Sequence, residues 1–371
     1  MLDYAALVNL RSGGQRTAEY VLHRLRDRLG EEQVLVLFTT GDTQRDDEEL
    51  ERFLRDKSPK FVIVAGGDGT ISFVMDAVKK LQSKRLLADD RGIIAPFPLG
   101  TGNDLSFTLG FGSGFARWFV LGGVRFRRLL RSYETATVTK VDRWSLKVSK
   151  TAAQRLPLRA EHSHILNNYF SVGFDAAVAN RLNRFRKKHP HLFITRPVVK
   201  LWYAVFAAMG LFTEKKIGAT TSLTIDGQKV AVPRSAKAVA VCNMLTYAGG
   251  SVAWNGSAHD RYAKPSVCDG KVEVVCFYGI WHLALVRLGW CYGKKLGQGN
   301  QVSMETACHS FQFDGEEVSH LDDAVGPATI HIARYASSEC LTVPPRSETD
   351  LFFLAAAAAA LLLALCYLLA F

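Results

Sequence analysis

The sequence predicts an α/β domain with a parallel sheet, then a mostly antiparallel β-sandwich-like domain, then a C-terminal transmembrane helix. Three observations carry this. Apolar strand signals alternate with helical periodicities over the first third of the chain. Past residue 137, short strand signals follow one another with turn residues between them. The last 21 residues, 351–371, carry no charge.

In order, residues 5–10 form a short apolar strand, followed by the loop Arg11-Ser12-Gly13-Gly14. Residues 17–29 place Tyr20, Val21, Leu25 and Leu29 near helical spacing and stop at Gly30. Strand 34–38, acidic helix 46–55, strand 61–65, helix 71–81 and strand 93–95 continue the alternation. Strands alternating with helices of this length mean βαβ units and a parallel sheet. The later strands are expected at 141–148, 223–225, 238–241, 272–277, 302–306, 311–313 and 329–333, interrupted by a basic helix over 176–189. The boundaries drawn are 1–136 and 137–343, with 351–371 as the membrane segment. At ~1.5 Å per residue that segment reaches about 31 Å, the thickness of a hydrocarbon core. It predicts a tail anchor with the rest of the chain in the cytosol.

Composition sets the bounds. The chain has 371 residues, 48% hydrophobic and 22% charged, with a formal net charge of +11. Disordered, collagenous and coiled-coil classes are excluded. The seven cysteines form no C-x-x-C pair, which speaks for free thiols rather than a zinc module or a disulfide framework. The basic residues are not interleaved with exposed-type aromatics, so nucleic acid is a poor partner.

The sharpest motif is Val62-Ile63-Val64-Ala65-Gly66-Gly67-Asp68-Gly69-Thr70, a buried-type strand running through three glycines into a helix. Such glycines let the backbone approach a phosphate, and the helix start presents amide groups and a positive dipole end. Pro98-Leu99-Gly100-Thr101-Gly102-Asn103-Asp104-Leu105 follows the strand at Ile93 in the same way, and Ser12-Gly13-Gly14 ends the first strand. In a parallel sheet all three turns fall on the carboxyl edge, where open α/β folds bind ligands. No Walker sequence, dinucleotide fingerprint or protein-kinase element accompanies them. By pattern alone, Asp314-Gly315-Glu316 reads as an ordinary hairpin turn and Asp175 as a turn cap.

With these motifs the sequence resembles the diacylglycerol kinase catalytic family, lipid kinases with a G-G-D-G-T nucleotide loop. Lys140-Val141-Asp142-Arg143-Trp144, Asn167 to Ala176, Arg186 to Pro190, Lys200-Leu201-Trp202-Tyr203, Tyr247-Ala248-Gly249-Gly250, Cys268-Asp269-Gly270 and Gln312-Phe313-Asp314-Gly315-Glu316 continue the likeness in order, over about residues 5 to 335. Leu10 departs from it, since the family usually has Pro after the first-loop Asn.

The resemblance implies an ATP-dependent kinase making phosphatidic acid from diacylglycerol at a membrane. Its catalytic part would bind nucleotide and its accessory part lipid. It implies Glu316 as general base with Asp68 as the second candidate. ATP falls to Asn9, Ser12, Gly13, Gly14, Thr40, Gly66, Gly67, Asp68, Gly69, Thr70, Gly100, Thr101, Gly102 and Asn103. Mg²⁺ falls to Asp68 and Asp175. Asp104, Arg186 and Lys187 are placed on the lipid headgroup side, where a basic stretch suits an anionic phospholipid surface. Another lipid alcohol, such as ceramide or a sphingoid base, and a catalytically silent membrane scaffold stand as alternatives. The oligomeric state is left open.

Overall fold

In the computed structural model, residues 3–344 are described except 40–41, 101, 116–121, 151–162, 190–191, 193–195, 211–214, 257–260 and 318–326. The first elements are β1 (Tyr4–Asn9), α1 (Gln15–Leu29), β2 (Val34–Leu37), α2 (Thr43–Lys57), β3 (Phe61–Gly66), α3 (Asp68–Ser83), β4 (Ile93–Pro98), α4 (Asp104–Thr108) and α5 (Gly122–Glu134). Strands β2, β1, β3 and β4 lie side by side, all parallel. Both faces of this sheet are covered, so its strands read as continuous apolar runs. Ala5 through Val8 and Val62 through Ala65 are fully buried, against Val21 and Leu25 of α1 and Ile71 and Val74 of α3.

The rest comprises β5 (Thr137–Lys150), β6 (Ser163–Leu166), β7 (Tyr169–Gly173), α6 (Phe174–Lys188), α7 (Arg196–Gly210), β8 (Thr221–Ile225), β9 (Gln228–Val230), β10 (Ala238–Cys242), β11 (Val272–Phe277), α8 (Ile280–Arg287), β12 (Lys294–Gly299), β13 (Gln301–Thr306), β14 (Phe311–Phe313), β15 (Glu316–Glu317) and β16 (Ala328–Thr342). One antiparallel sheet runs β12-β11-β10-β7-β14-β15. It packs through Phe170, Val172, Val241 and Val274 against Leu146, Leu223, Met304 and Ile332 of the other sheet. The expected parallel α/β part and the antiparallel sandwich are both present.

The two parts are not separate sheets. Cys340 of β16 pairs in parallel with Ile94 of β4, so the parallel sheet continues through β16 into β13, β8 and β9. The same β16 pairs with β5 from Ala328↔Lys150 to Thr342↔Thr137, with a register shift between Arg334 and Ala336. Arg334 reaches across to Asp142 at 2.7 Å.

The transmembrane helix and the tail-anchored location are corrected here. No described helix is long and apolar enough to cross a membrane. The longest, α3, has 16 residues, about 24 Å at ~1.5 Å each, short of a ~30 Å core. Residues 351–371, which carried the expectation, lie outside the described residues. Among the described cysteines, Cys242, Cys276 and Cys340 are buried free thiols, whereas Cys268 is exposed.

One buried acid gives an expected pH dependence of stability. Glu273 of β11 is 2% exposed and accepts from Gln298 Nε2 at 2.9 Å. Burial pushes its carboxyl from 4.5 up to about 8. Its contribution is fully present below the unfolded value and is lost as pH rises through the folded one. Glu273→Gln is therefore expected to raise the melting temperature by several degrees above pH 8 and to leave it unchanged at pH 4. Melting curves across pH check this, and a parallel shift at both pH values would refute it.

Candidate active site

The three glycine turns meet at the carboxyl edge of the parallel strands. At the first, Ser12 N donates to Asn9 O at 3.1 Å, and Asn9 Nδ2 reaches Thr70 Oγ1 on α3 at 2.9 Å. Gly13 has φ +73°, and a Cβ there would sit 2.0 Å from the Leu99 carbonyl oxygen. The second turn touches the third just as closely, since a Cβ on Gly100 would fall 2.4 Å from Gly67 Cα. Leu99 N and Gly100 N both donate to Gly66 O, at 2.9 and 3.1 Å. The Gly100 N–H is thereby used within the protein. The third turn supplies shape rather than that donor. Asn103 is 2% exposed and donates to Gly100 O and Ser113 O, and its Oδ1 is buried without a partner. Gly69 and Gly102 differ from the rest, because a Cβ on either would meet open space. Thr40 and Thr101 lie outside the described residues.

Asp68 opens α3, where Thr70 N and Ile71 N already donate to Gly67 O at 3.0 and 3.1 Å, so that the amides of Asp68 and Gly69 are the ones left at the helix start. Its Oδ2 accepts from Asp104 N and from Asn168 Nδ2, both at 2.9 Å, and its Oδ1 accepts from Leu105 N at 3.4 Å. Burial first, then the neighbouring Asp104 and Asp314 carboxylates, push its carboxyl up to about 7. Asn168 is the bridge to the rest of the site. While its side chain holds Asp68, its backbone N donates to Asp314 Oδ1 at 2.7 Å. Asp314 also accepts from Asn167 N and Tyr169 N, and burial lifts it to about 6.

Asp314 (φ 48°) and Gly315 (φ 83°) form the two-residue turn between β14 and β15. Two successive positive φ values are what a tight hairpin demands, and Asp-Gly supplies them. The motif is thus a hairpin turn, and it carries Glu316 opposite Phe313, joined through Asn168 to Asp68. The Glu316 side chain lies outside the described part.

Asp104 is a clamp. It is 2% exposed, and its oxygens accept from Thr246 Oγ1, Gly249 N and Gly250 N, each at 2.9 Å. Ala248, Gly249 and Gly250 all have positive φ, which curls their loop around that carboxylate. Asp175 fixes the same loop from the other side, receiving the Tyr247 hydroxyl in a short hydrogen bond. Its carboxyl is raised by burial, and Asp68 and Asp175 have no hydrogen-bonding partner in common among the described residues. No cluster of three or more metal-type ligands occurs among the described residues. Arg186 and Lys187 are exposed in the last turn of α6.

Sequence reading assigned no role to Asn167 or Arg143. Arg143 is fully buried, donating from Nε to Asn167 Oδ1 and from Nη2 to Asp76 of α3. Asn167 Nδ2 reaches Ser72 Oγ at 2.6 Å. The helix that begins with Asp68 is thus tied along its length to β5 and to the turn before β7. The only sequence signal was membership of quoted motifs, which marks positions without saying what they touch.

Fold and site together define an α/β protein with a glycine-lined carboxyl edge, joined to a β accessory part. The fold is similar to that of a putative diacylglycerol kinase from Bacillus anthracis str. Sterne, with a TM-score of 0.50 and 17% identity, covering 92% of this chain and 97% of that one. The family profile of the diacylglycerol kinase catalytic domain matches residues 3–122, and that of the diacylglycerol kinase accessory domain matches 165–317. Diacylglycerol kinase 2 of Arabidopsis thaliana is 32% identical over 314 residues, 83% of this chain and 42% of that protein. Diacylglycerol kinase theta of Mus musculus is 28% identical over 345 residues, 90% of this chain and 35% of that protein. The chain belongs to the diacylglycerol kinase family. It spans about two-fifths of the length of the curated relatives it matches.

Proposed function

We propose that the chain is a lipid kinase that transfers the γ-phosphoryl group of ATP to the free hydroxyl of diacylglycerol, giving phosphatidic acid and ADP. One observation carries the reading. The glycine turns and the D-G-E hairpin, far apart in sequence, are joined at one edge by the Asn168 bridge between Asp68 and Asp314.

Phosphoryl transfer needs positioning, charge neutralisation and a proton acceptor. The Asp68 and Gly69 amides at the start of α3 face the phosphates, with the open space beside Gly69 and Gly102 to receive them. The hydroxyl oxygen of the lipid attacks the γ-phosphorus, the bond to the β–γ bridging oxygen breaks, and ADP leaves. The hydroxyl proton passes to Glu316, or to Asp68 as second candidate. Asp68 also suits a divalent cation. Its Oδ1 receives only the long Leu105 N–H, and the neighbouring Asn168 Oδ1 is buried without a partner. Two such hard oxygens fit Mg²⁺ and its water shell. When bound, Mg²⁺ would neutralise phosphate oxygens. Asp175 orders the loop at Tyr247 that clamps Asp104, and Asp104 thereby shapes the lipid side. Arg186 and Lys187 face anionic headgroups.

The test is a panel of lipids in detergent micelles with radiolabelled ATP and Mg²⁺. Labelled phosphatidic acid from diacylglycerol is expected, and Glu316→Ala should cut it by about a hundredfold, the lower range for a lost general base. Label on ceramide or a sphingoid base instead, or on none, overturns the reading.

A further inference from the structure

Helices α7 and α8 expose several large apolar side chains. On α7, Trp202 and Phe206 turn inward onto Phe185 of α6, with ring centroids 4.8 and 5.4 Å away. That leaves Leu201, Val205 and Met209, each one turn apart, facing outward at 64, 38 and 60% exposure. On α8, which touches α7, Trp281 and Leu285 repeat the spacing, and Trp290 follows the helix. Both tryptophans are 71% exposed. Scattered exposed apolar residues are ordinary, but six large ones on and just after two touching helices mark an interaction surface.

The charge around that face identifies the partner. Residues 176–213, which cover α6 after Asp175 and all of α7, contain seven Lys or Arg and no acid. Residues 274–304, which span α8 and β12, contain three and no acid. These ten charges compare with +11 for the entire chain. Arg186, Lys187 and Lys188 are exposed at the end of α6, which packs against α7. Indole rings settle at headgroup depth, apolar side chains reach the acyl boundary, and cations meet an anionic leaflet.

The face also borders the site. Arg287 of α8 donates to Ala248 O at 2.6 Å, the next two residues of that loop hold Asp104, and Asp104 N bonds to Asp68. We propose that the α7–α8 face is a peripheral docking surface for an anionic bilayer, lying in the headgroup plane beside the catalytic edge. This rests on the lipid-kinase reading and explains how a bilayer-embedded alcohol reaches that edge.

The test uses the full chain with phosphatidylcholine vesicles, with and without phosphatidylserine, whose acyl chains are brominated near the headgroup. Neither ATP nor diacylglycerol is present, and the readout is quenching of tryptophan emission. Wild type should be quenched with phosphatidylserine present, and Trp281→Phe/Trp290→Phe should lose most of that quenching. The readout is specific to these rings, so vesicle binding through another part of the chain does not imitate it. Trp281→Glu/Trp290→Glu should lose about tenfold or more turnover on diacylglycerol in vesicles. It should keep wild-type turnover on a short-chain diacylglycerol dissolved as monomer.

Quenching that survives in the Phe variant overturns the proposal, as does quenching indifferent to phosphatidylserine. A dimer that the Glu variant dissolves, with no quenching in wild type, assigns the face to a second copy instead. If wild type phosphorylates neither form of diacylglycerol, the kinase reading fails while the quenching still decides the docking.

Discussion

Asp68→Asn is expected to abolish the proposed phosphoryl transfer and leave the protein at least as stable as the parent. The amide keeps the shape of the carboxyl group. Its oxygen still accepts from Asp104 N and Asn168 Nδ2, and its NH₂ replaces only the acceptor of the 3.4 Å contact to Leu105 N. What it removes is a negative charge that burial and two nearby carboxylates make costly. The wild-type carboxyl is pushed from 3.8 up to about 7. Its stabilising contribution is whole below the unfolded value and lost as pH rises through the folded one. The variant should therefore melt higher than wild type at pH 8 and level with it at pH 4. Turnover should fall by about a thousandfold, because positioned charge at the phosphates is the main lever of phosphoryl transfer. Near-normal turnover would remove Asp68 from the reaction. A lower melting temperature at every pH would make it a structural residue.

Gly69→Ala should separate binding from folding in the opposite way to Gly13→Ala. Gly69 lies in the first turn of α3, its φ is not positive, and a Cβ there meets nothing within 4 Å. Alanine in a helix is favoured over glycine by up to about 1 kcal/mol, so the variant should melt slightly higher. Its methyl group projects into the space assigned to the phosphates, so ATP affinity and turnover should fall by about a hundredfold or more. Gly13→Ala meets a carbonyl oxygen at 2.0 Å from a left-handed backbone, and it must force the first and third turns apart. That variant should lose stability first, by about 3 kcal/mol, in the range of strained backbone and overpacking costs. Calorimetry of folding and of nucleotide binding on both variants decides it. A Gly69→Ala enzyme that binds ATP normally would move the phosphates elsewhere.

How much of this was legible depended on how local the cause was. Buried parallel strands announce themselves as apolar runs, so β1, β3 and the start of β4 were read close to their ends. The glycine turns could be grouped because one sheet edge collects every loop after a parallel strand. Helix α7 was not read, since its stretch is apolar on the side facing α6 and on the outward side alike. The hydrogen-bonding network was invisible for another reason. Asn168, Asp104 and Arg143 act on partners 100, 145 and 67 residues away. A polar residue beside a strand end looks the same whether it caps a turn or bridges two halves of a protein. Even Asp314-Gly315, correctly read as a hairpin turn, gave no sign that its carboxylate would hold three amides of the chain before and within β7.

The strand β16 has a consequence for how the protein comes into being. Its Cys340 pairs with Ile94 of β4, far earlier in the chain, whereas Pro96 O and Pro98 O of that strand are met by the Tyr133 hydroxyl and Phe115 N. A growing chain must carry the edge of β4 at Ile94 without its strand partner until residue 340 has emerged. An unpaired strand edge is a template for the wrong neighbour. Synthesis halted short of that point would leave a product that tends to clump, however well its first hundred residues had settled.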